Sequence, residues 1–195
     1  MPKIVDYEEK KKEIIKKAKL VFEKKGYYNT NLSHISNKCG MGRTTIYQYF
    51  KNKDEIFYHT LGSTLEEIKA EVEGIKANND LTFIEKLQEI VHLLTKENGN
   101  NNTFILLVEI WLVLKREENE TLEKLRSYSK DLKVVINDLI IEGINEKEIK
   151  QIDSESMAET IYNFIETFTL QRTSNLQEAR RRLDSFNVLL DGLRV

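Results

Sequence analysis

Apolar residues recur every three to four positions along this chain rather than every second one, over long segments that few breakers interrupt. Ile14, Ala18, Val21 and Phe22 mark one face of a helix over about residues 6–25, and Gly26 is placed to end it in a left-handed conformation. Two short helices are predicted next, over about 32–39 and 43–50, split by Gly40-Met41-Gly42. Asn52 can cap a longer helix over 53–76, whose first turn holds Asp54 and Glu55 at the positive end of the helix dipole. Asp80, Asn102 or Thr103, Asn119, Asp153 or Ser154, and Ser174 or Asn175 signal later starts, and 98–102 reads as a loop. About nine helices result, with no convincing strand. The pattern predicts an all-α fold with a seam near residue 50, giving 1–52 as one domain and 53–195 as a second.

Composition narrows the setting. A chain of 195 residues can bury a core of ordinary size without staples. Its single cysteine, Cys39, excludes an intrachain disulfide framework and a cysteine-rich zinc site, and fits a reducing compartment. The longest apolar run, 103–114, is broken by Glu109 and is too short to span a bilayer. The Lys/Glu-rich start carries no apolar signal region, so a cytoplasmic protein without a membrane partner is expected. The formal charge of −2 conceals an asymmetry. Residues 1–60 hold thirteen Lys/Arg against seven Asp/Glu, a net +6, and residues 61–195 carry −8. A basic head on an acidic body points towards nucleic acid.

Residues 32–50 carry the chemistry. Leu32, Ile35 and Cys39 share one face of the first short helix, and Ile46 and Phe50 share one face of the second. The glycine turn between them lets two helices cross steeply, as a helix-turn-helix requires. Arg43, Thr44, Thr45, Tyr47, Gln48 and Tyr49 crowd the second helix with hydrogen-bonding side chains. Eight residues at ~1.5 Å each give ~12 Å, about the width of the DNA major groove. Such a helix can read base edges; the plainer alternative is an ordinary amphipathic surface. Ile46 and Phe50 read as core, Tyr47 as partly core, His34 as partly exposed, and Cys39 as a small buried residue rather than a redox sensor.

The segment Phe22-Glu-Lys-Lys-Gly-Tyr27, followed by Thr30 to Ile56, resembles the DNA-binding domain of TetR-type (tetracycline-repressor-like) regulators. The family pattern Tyr-x-Tyr/His-Phe-x-x-Lys-x-x-Leu/Ile runs here from Tyr47 to Ile56, and the resemblance covers about residues 7–60. It implies a three-helix helix-turn-helix domain followed by a larger helical effector-binding and dimerisation domain. It also implies DNA contacts from Arg43, Thr44, Thr45, Tyr47, Gln48 and Tyr49, and phosphate contacts from Lys53 and from Thr30, Asn31 and Ser33 at the second helix's start. Gly42 stands where a serine or threonine cap is usual, and Thr44 where a small residue is usual.

Residues 103–114 are apolar all round and read as a central buried helix. Glu109 within it needs either a cationic partner on a neighbouring helix or a pocket in which it meets a cationic or polar ligand. Phe83, Phe104, Trp111, Tyr128, Tyr162 and Phe168 could line such a pocket or belong to the core. Met157, Ile161, Phe164, Ile165 and Phe168 form one stripe, and Leu176, Ala179, Leu183, Phe186, Leu190 and Leu193 another. Two such helices could close an intrachain hairpin; the resemblance implies instead a homodimer with an isologous four-helix interface. His34, His59 and His92 lie far apart, and the common nucleotide, hydrolase and metal motifs are missing, so no enzyme, cofactor or metal site is expected. The expectation is a ligand-responsive repressor on a near-palindromic double-stranded operator; the alternative is a regulator whose C-terminal half binds a protein.

Overall fold

The computed structural model describes residues 7–95, 120–171 and 175–195. They hold eight helices: α1 (Tyr7–Lys25), α2 (Leu32–Cys39), α3 (Arg43–Tyr47), α4 (Lys53–Ala77), α5 (Phe83–Thr95), α6 (Glu120–Asn145), α7 (Ser154–Leu170) and α8 (Leu176–Asp191). The fold is all-α. Among the described residues the only strand-like feature is an isolated antiparallel bridge between Ile149 and Arg194, and no helix is long and apolar enough to cross a membrane. The helix expected over 103–114, with Glu109, lies outside the described residues. The chain divides into two compact units, residues 7–67 in one and 68–95, 120–171 and 175–195 in the other. Helix α4 begins in the first and ends in the second.

In the first unit Ile14, Ala18, Val21 and Phe22 of α1, Ile35 and Cys39 of α2, Ile46 and Phe50, and Ile56, Phe57 and Leu61 of α4 are all buried, with α1 packed on α2 and Phe22 meeting Phe57. Gly26, at φ 73°, stops α1, and its N–H donates to the Phe22 carbonyl at 2.7 Å. Gly40 ends α2 at φ 68°. There the Gly40 N–H reaches Asn37 O (3.1 Å) and the Met41 N–H reaches Ser36 O (3.0 Å), a paired closure that satisfies the last carbonyls and turns the chain into α3.

Helix α3 is shorter than the 43–50 expected. Its regular part covers Arg43–Tyr47, and Gly42 at its N-cap makes no side-chain capping bond. The residues beyond tighten into i→i−3 bonds, Gln48 N–H to Thr45 O (3.1 Å) and Tyr49 N–H to Ile46 O (3.0 Å). An uncapped start with two β-branched threonines leaves too little local preference for a longer helix.

In the second unit the apolar face of α5 (Ile84, Leu87, Ile90, Val91, Leu94) packs against α6, α7 and α8. Helix α5 starts after Thr82 rather than at Asp80, because Thr82 and Glu85 cap each other: the Thr82 N–H donates to Glu85 Oε2 (2.8 Å) and the Glu85 N–H to Thr82 Oγ1 (3.3 Å). Asp153 and Asn175 cap α7 and α8 as their positions suggested.

The stripes expected at a subunit interface are largely used within the chain. Ile161, Ile165, Phe168, Ala179, Phe186 and Leu190 are buried, and Met157, Phe164 and Leu183 are half-buried. The Phe164 and Phe186 rings stack 3.7 Å apart. The reason is α5, which supplies the apolar face that these stripes need. What α8 leaves in solvent is Val188 and Leu189, 69% and 68% exposed.

Gly143 marks a close approach at the far end of α6. A Cβ there would lie 2.6 Å from Ile149 Cδ1 and 3.0 Å from Phe83 Cβ, and Ile149 is buried. The Glu148 carboxylate beside it accepts the Phe83 N–H at 3.0 Å. Gly143→Ala is therefore expected to lower the unfolding free energy by about 1–3 kcal/mol through overpacking, read as a lower urea midpoint with an unchanged slope; an unaltered midpoint would refute the close packing.

Candidate nucleic-acid interface

The start of α2 is built by two side chains capping each other. Asn31 Oδ1 accepts the His34 N–H at 3.0 Å, and His34 Nδ1 accepts the Asn31 N–H at 3.3 Å. His34 stands where a capping box usually has Glu or Gln. With Nδ1 accepting, the neutral ring carries its proton on Nε2. Thr30, expected at a phosphate, turns inward instead. It is 2% exposed, and its hydroxyl donates to the Gly26 carbonyl at 2.7 Å, closing the loop after α1. Ser33 is half-buried and Asn31 exposed.

Helix α3 divides cleanly. Ile46 and Phe50 are buried at 0% and 1%, while Arg43, Thr44, Tyr47 and Gln48 are exposed and Thr45 and Tyr49 half-buried. The anchors on one side oblige the hydrogen-bonding set to face outwards. Tyr49 is not free, because its ring stacks on Tyr7 of α1 at 4.9 Å.

Lys53 and Asp54, the first residues of α4, grip Tyr27 from two sides. The Lys53 ammonium donates to the Tyr27 carbonyl at 3.0 Å and sits 4.0 Å from the centre of its ring. The Tyr27 hydroxyl donates to Asp54 Oδ1 at 2.6 Å. The same ring lies 4.5 Å from Phe57, and Phe57 meets Phe22 edge-on at 4.8 Å. Burial, and then the neighbouring Asp54 carboxylate, hold the Tyr27 hydroxyl well above the usual tyrosine range, so it remains a donor at neutral pH. An ammonium has three N–H donors, so Lys53 keeps hydrogen-bonding capacity while held. Asn52 caps α4 as expected, accepting the Glu55 N–H at 2.8 Å. Burial pushes the Cys39 thiol up, the opposite of what a reactive thiolate needs.

Among the described residues expected to line an effector pocket, Phe83 and Tyr162 lie apart. Phe83 sits at the start of α5 beside Gly143. Tyr162, on α7, accepts a hydrogen bond from Ser129 Oγ at 2.5 Å, with the Lys133 ammonium 4.8 Å from its ring. Ser129 and Lys133 precede Gly143 on α6 by ten to fourteen residues, about 15–21 Å along the axis. Tyr128 is half-buried on the same helix. Phe104, Glu109 and Trp111 lie outside the described residues.

Two residues were not singled out from the sequence. Tyr27 lies inside the family-like stretch, but its grip on Lys53 and Asp54 spans 26 positions or more. Tyr7 reaches Gln48 across 41. Neither pairing leaves a periodic signal.

Two short helices joined by a glycine turn, the second with a polar, outward-facing side, on a basic unit followed by a larger helical unit, define the helix-turn-helix class of regulator. Residues 14–59 match the model for bacterial regulatory proteins of the tetR family. The chain is 28% identical over 144 residues to the fatty acid metabolism regulator protein of Bacillus subtilis (strain 168), covering 71% of this chain and 70% of that one. It is 37% identical over 78 residues to the HTH-type transcriptional regulator HbdR of Aromatoleum sp. (strain CIB); that match covers 38% of this chain and only 33% of HbdR's length. Its fold is similar to AibR, crystallised with isovaleryl coenzyme A and operator DNA, with a TM-score of 0.69 and 12% identity over 92% of this chain and 97% of AibR. Residues 14–59 thus match the tetR family of bacterial regulatory proteins, and the fold of the chain is similar to that of solved TetR-type regulators.

The Tyr27 grip generates a test within the first unit. Its contribution is present below the ordinary tyrosine pKa of 10 and fades as pH rises above it, because the unfolded phenol ionises first. Tyr27→Phe, which keeps the ring and removes the bond to Asp54, is expected to cost about 1 kcal/mol at neutral pH. In urea unfolding the gap between wild type and variant should narrow past pH 10; a gap that stays constant there would contradict the bond.

Proposed function

We propose that the protein is a DNA-binding transcriptional regulator, a repressor that acts as a homodimer on a near-palindromic operator and is released by a small molecule. One observation carries the DNA reading: Arg43, Thr44, Tyr47 and Gln48 face solvent from a helix whose Ile46 side is wholly buried. Gln48 and Thr44 are the base readers, because amide and hydroxyl groups pair with base edges in the major groove. Lys53, with Asn31 and Ser33 at the start of α2, serves the phosphate backbone, and Arg43 either group. Two heads would sit in successive major grooves, about 34–36 Å or a multiple apart.

The pairing surface is the solvent face of α8. Val188 and Leu189 are exposed apolar neighbours, and an isologous contact would cover them against their copies. The effector belongs to the second unit. The expectation of a cationic or polar ligand rested on Glu109. AibR's complex with isovaleryl coenzyme A and the fatty acid regulator make an acyl-CoA thioester the first ligand to try. Such a ligand releases DNA only as far as it prefers the conformation that does not bind. It would leave the effector-free heads positioned for DNA.

An operator obtained by selection from random duplexes tests the roles. Gln48→Ala is expected to lose about 1–3 kcal/mol on that operator and to relax the preference at one position per half-site; equal weakening on every sequence would remove it as a base reader. Lys53→Ala should weaken all duplexes alike and reduce the salt slope by about 1 per head. An unchanged slope would leave Lys53 only its grip on Tyr27. For the dimer, Leu189→Asp is expected to give monomers in sedimentation at concentrations where wild type pairs, and a persistent dimer would place the interface elsewhere.

A further inference from the structure

The end of the third helix is held from outside. Past Tyr47 two of the three backbone bonds are i→i−3, from Gln48 and Tyr49, and only the Phe50 N–H returns to an i→i−4 bond, with Ile46 O at 3.1 Å. A helix of five residues lies far below the length that sustains itself in water. The support comes from the first turns of α1. The Tyr7 hydroxyl donates to the Gln48 carbonyl at 3.2 Å, one of the last carbonyls of α3, which have no partner within the helix. The Tyr7 ring lies over Tyr49, with centroids 4.9 Å apart and planes inclined by 25°. One turn further along α1, the Lys11 ammonium is 5.3 Å from the centre of the Phe50 ring. Two residues four apart, on one face of α1, thus grip three consecutive residues, Gln48, Tyr49 and Phe50.

Tyr7 is 49% exposed, so core burial does not account for a large aromatic there. Its two polar and ring contacts both fall on the segment that presents Gln48. Its hydroxyl touches the backbone of Gln48 and not the amide, leaving that side chain exposed and free to pair.

We propose that Tyr7 is a positioning residue for sequence readout: it holds the Gln48–Tyr49 end of α3 in one place, so that Gln48 meets a base edge without first being ordered. This rests on the DNA reading given above. Loosening that end lowers affinity for the operator, where Gln48 must be placed, and leaves general DNA attraction intact. Attraction comes from Lys53 and the start of α2, which Tyr7 does not touch.

The test uses the full chain with Tyr7→Phe, which keeps the stack and loses the bond, and Tyr7→Ala, which loses both. Each is titrated on the selected operator and on a shuffled duplex of equal length across a salt series. Tyr7→Phe is expected to lose roughly three- to tenfold on the operator, the scale of one neutral hydrogen bond, and Tyr7→Ala more. Affinity for the shuffled duplex and the salt slopes should not change. Equal loss on both duplexes, or no loss on either, would overturn the inference. Should Tyr7→Ala unfold the head, the Tyr7→Phe comparison decides. Wild-type protein that binds both duplexes alike would overturn the DNA reading and this inference with it. Wild type that discriminates, beside variants that discriminate equally, would overturn this inference alone.

Discussion

A five-residue helix with a glycine at its N-cap cannot keep its own shape in water, and the first unit is organised around that constraint. Three supports replace the missing local stability. Ile46 and Phe50 are buried below it, the left-handed turn at Gly40 sets the direction in which it leaves α2, and Tyr7 holds its far end. Because every anchor lies on one side, the polar side chains have only solvent to face. A surface suited to reading DNA therefore follows from packing rather than from helix propensity.

The same economy of contacts recurs elsewhere. Lys53 and Asp54 are adjacent yet hold opposite ends of Tyr27, so the start of α4, the loop after α1 and the Phe22–Phe57 pair form one knot. In the second unit α5 is the hub: its apolar face takes up stripes from α6, α7 and α8. Any surface for a second copy is then what those stripes leave over, which on α8 is Val188 and Leu189.

Much of this was readable from the sequence. The Ile14-Ala18-Val21-Phe22 spacing located α1, Gly26 its end, and Gly40 the end of α2. Periodicity says which residues face an apolar environment but not whose. It could not tell that Ile161 and Phe186 would pack within their own chain rather than against a partner. Motif resemblance likewise places Thr30 at a helix start without saying which way its hydroxyl turns. The start of α5 was a different kind of miss. The Thr82-Phe-Ile-Glu85 box was present in the sequence, but Asp80 two residues earlier offered a competing cap. Contacts such as Tyr7 with Gln48 depend on the crossing of helices, which no local signal encodes.

Hydrogen exchange of the full chain, with and without an operator duplex, tests the central claim most directly. Binding through the head should slow exchange in peptides covering 31–34, 43–50 and 51–55, where capped helix starts and the braced end of α3 would meet DNA. Exchange in those peptides that is unchanged at saturating operator would contradict the account.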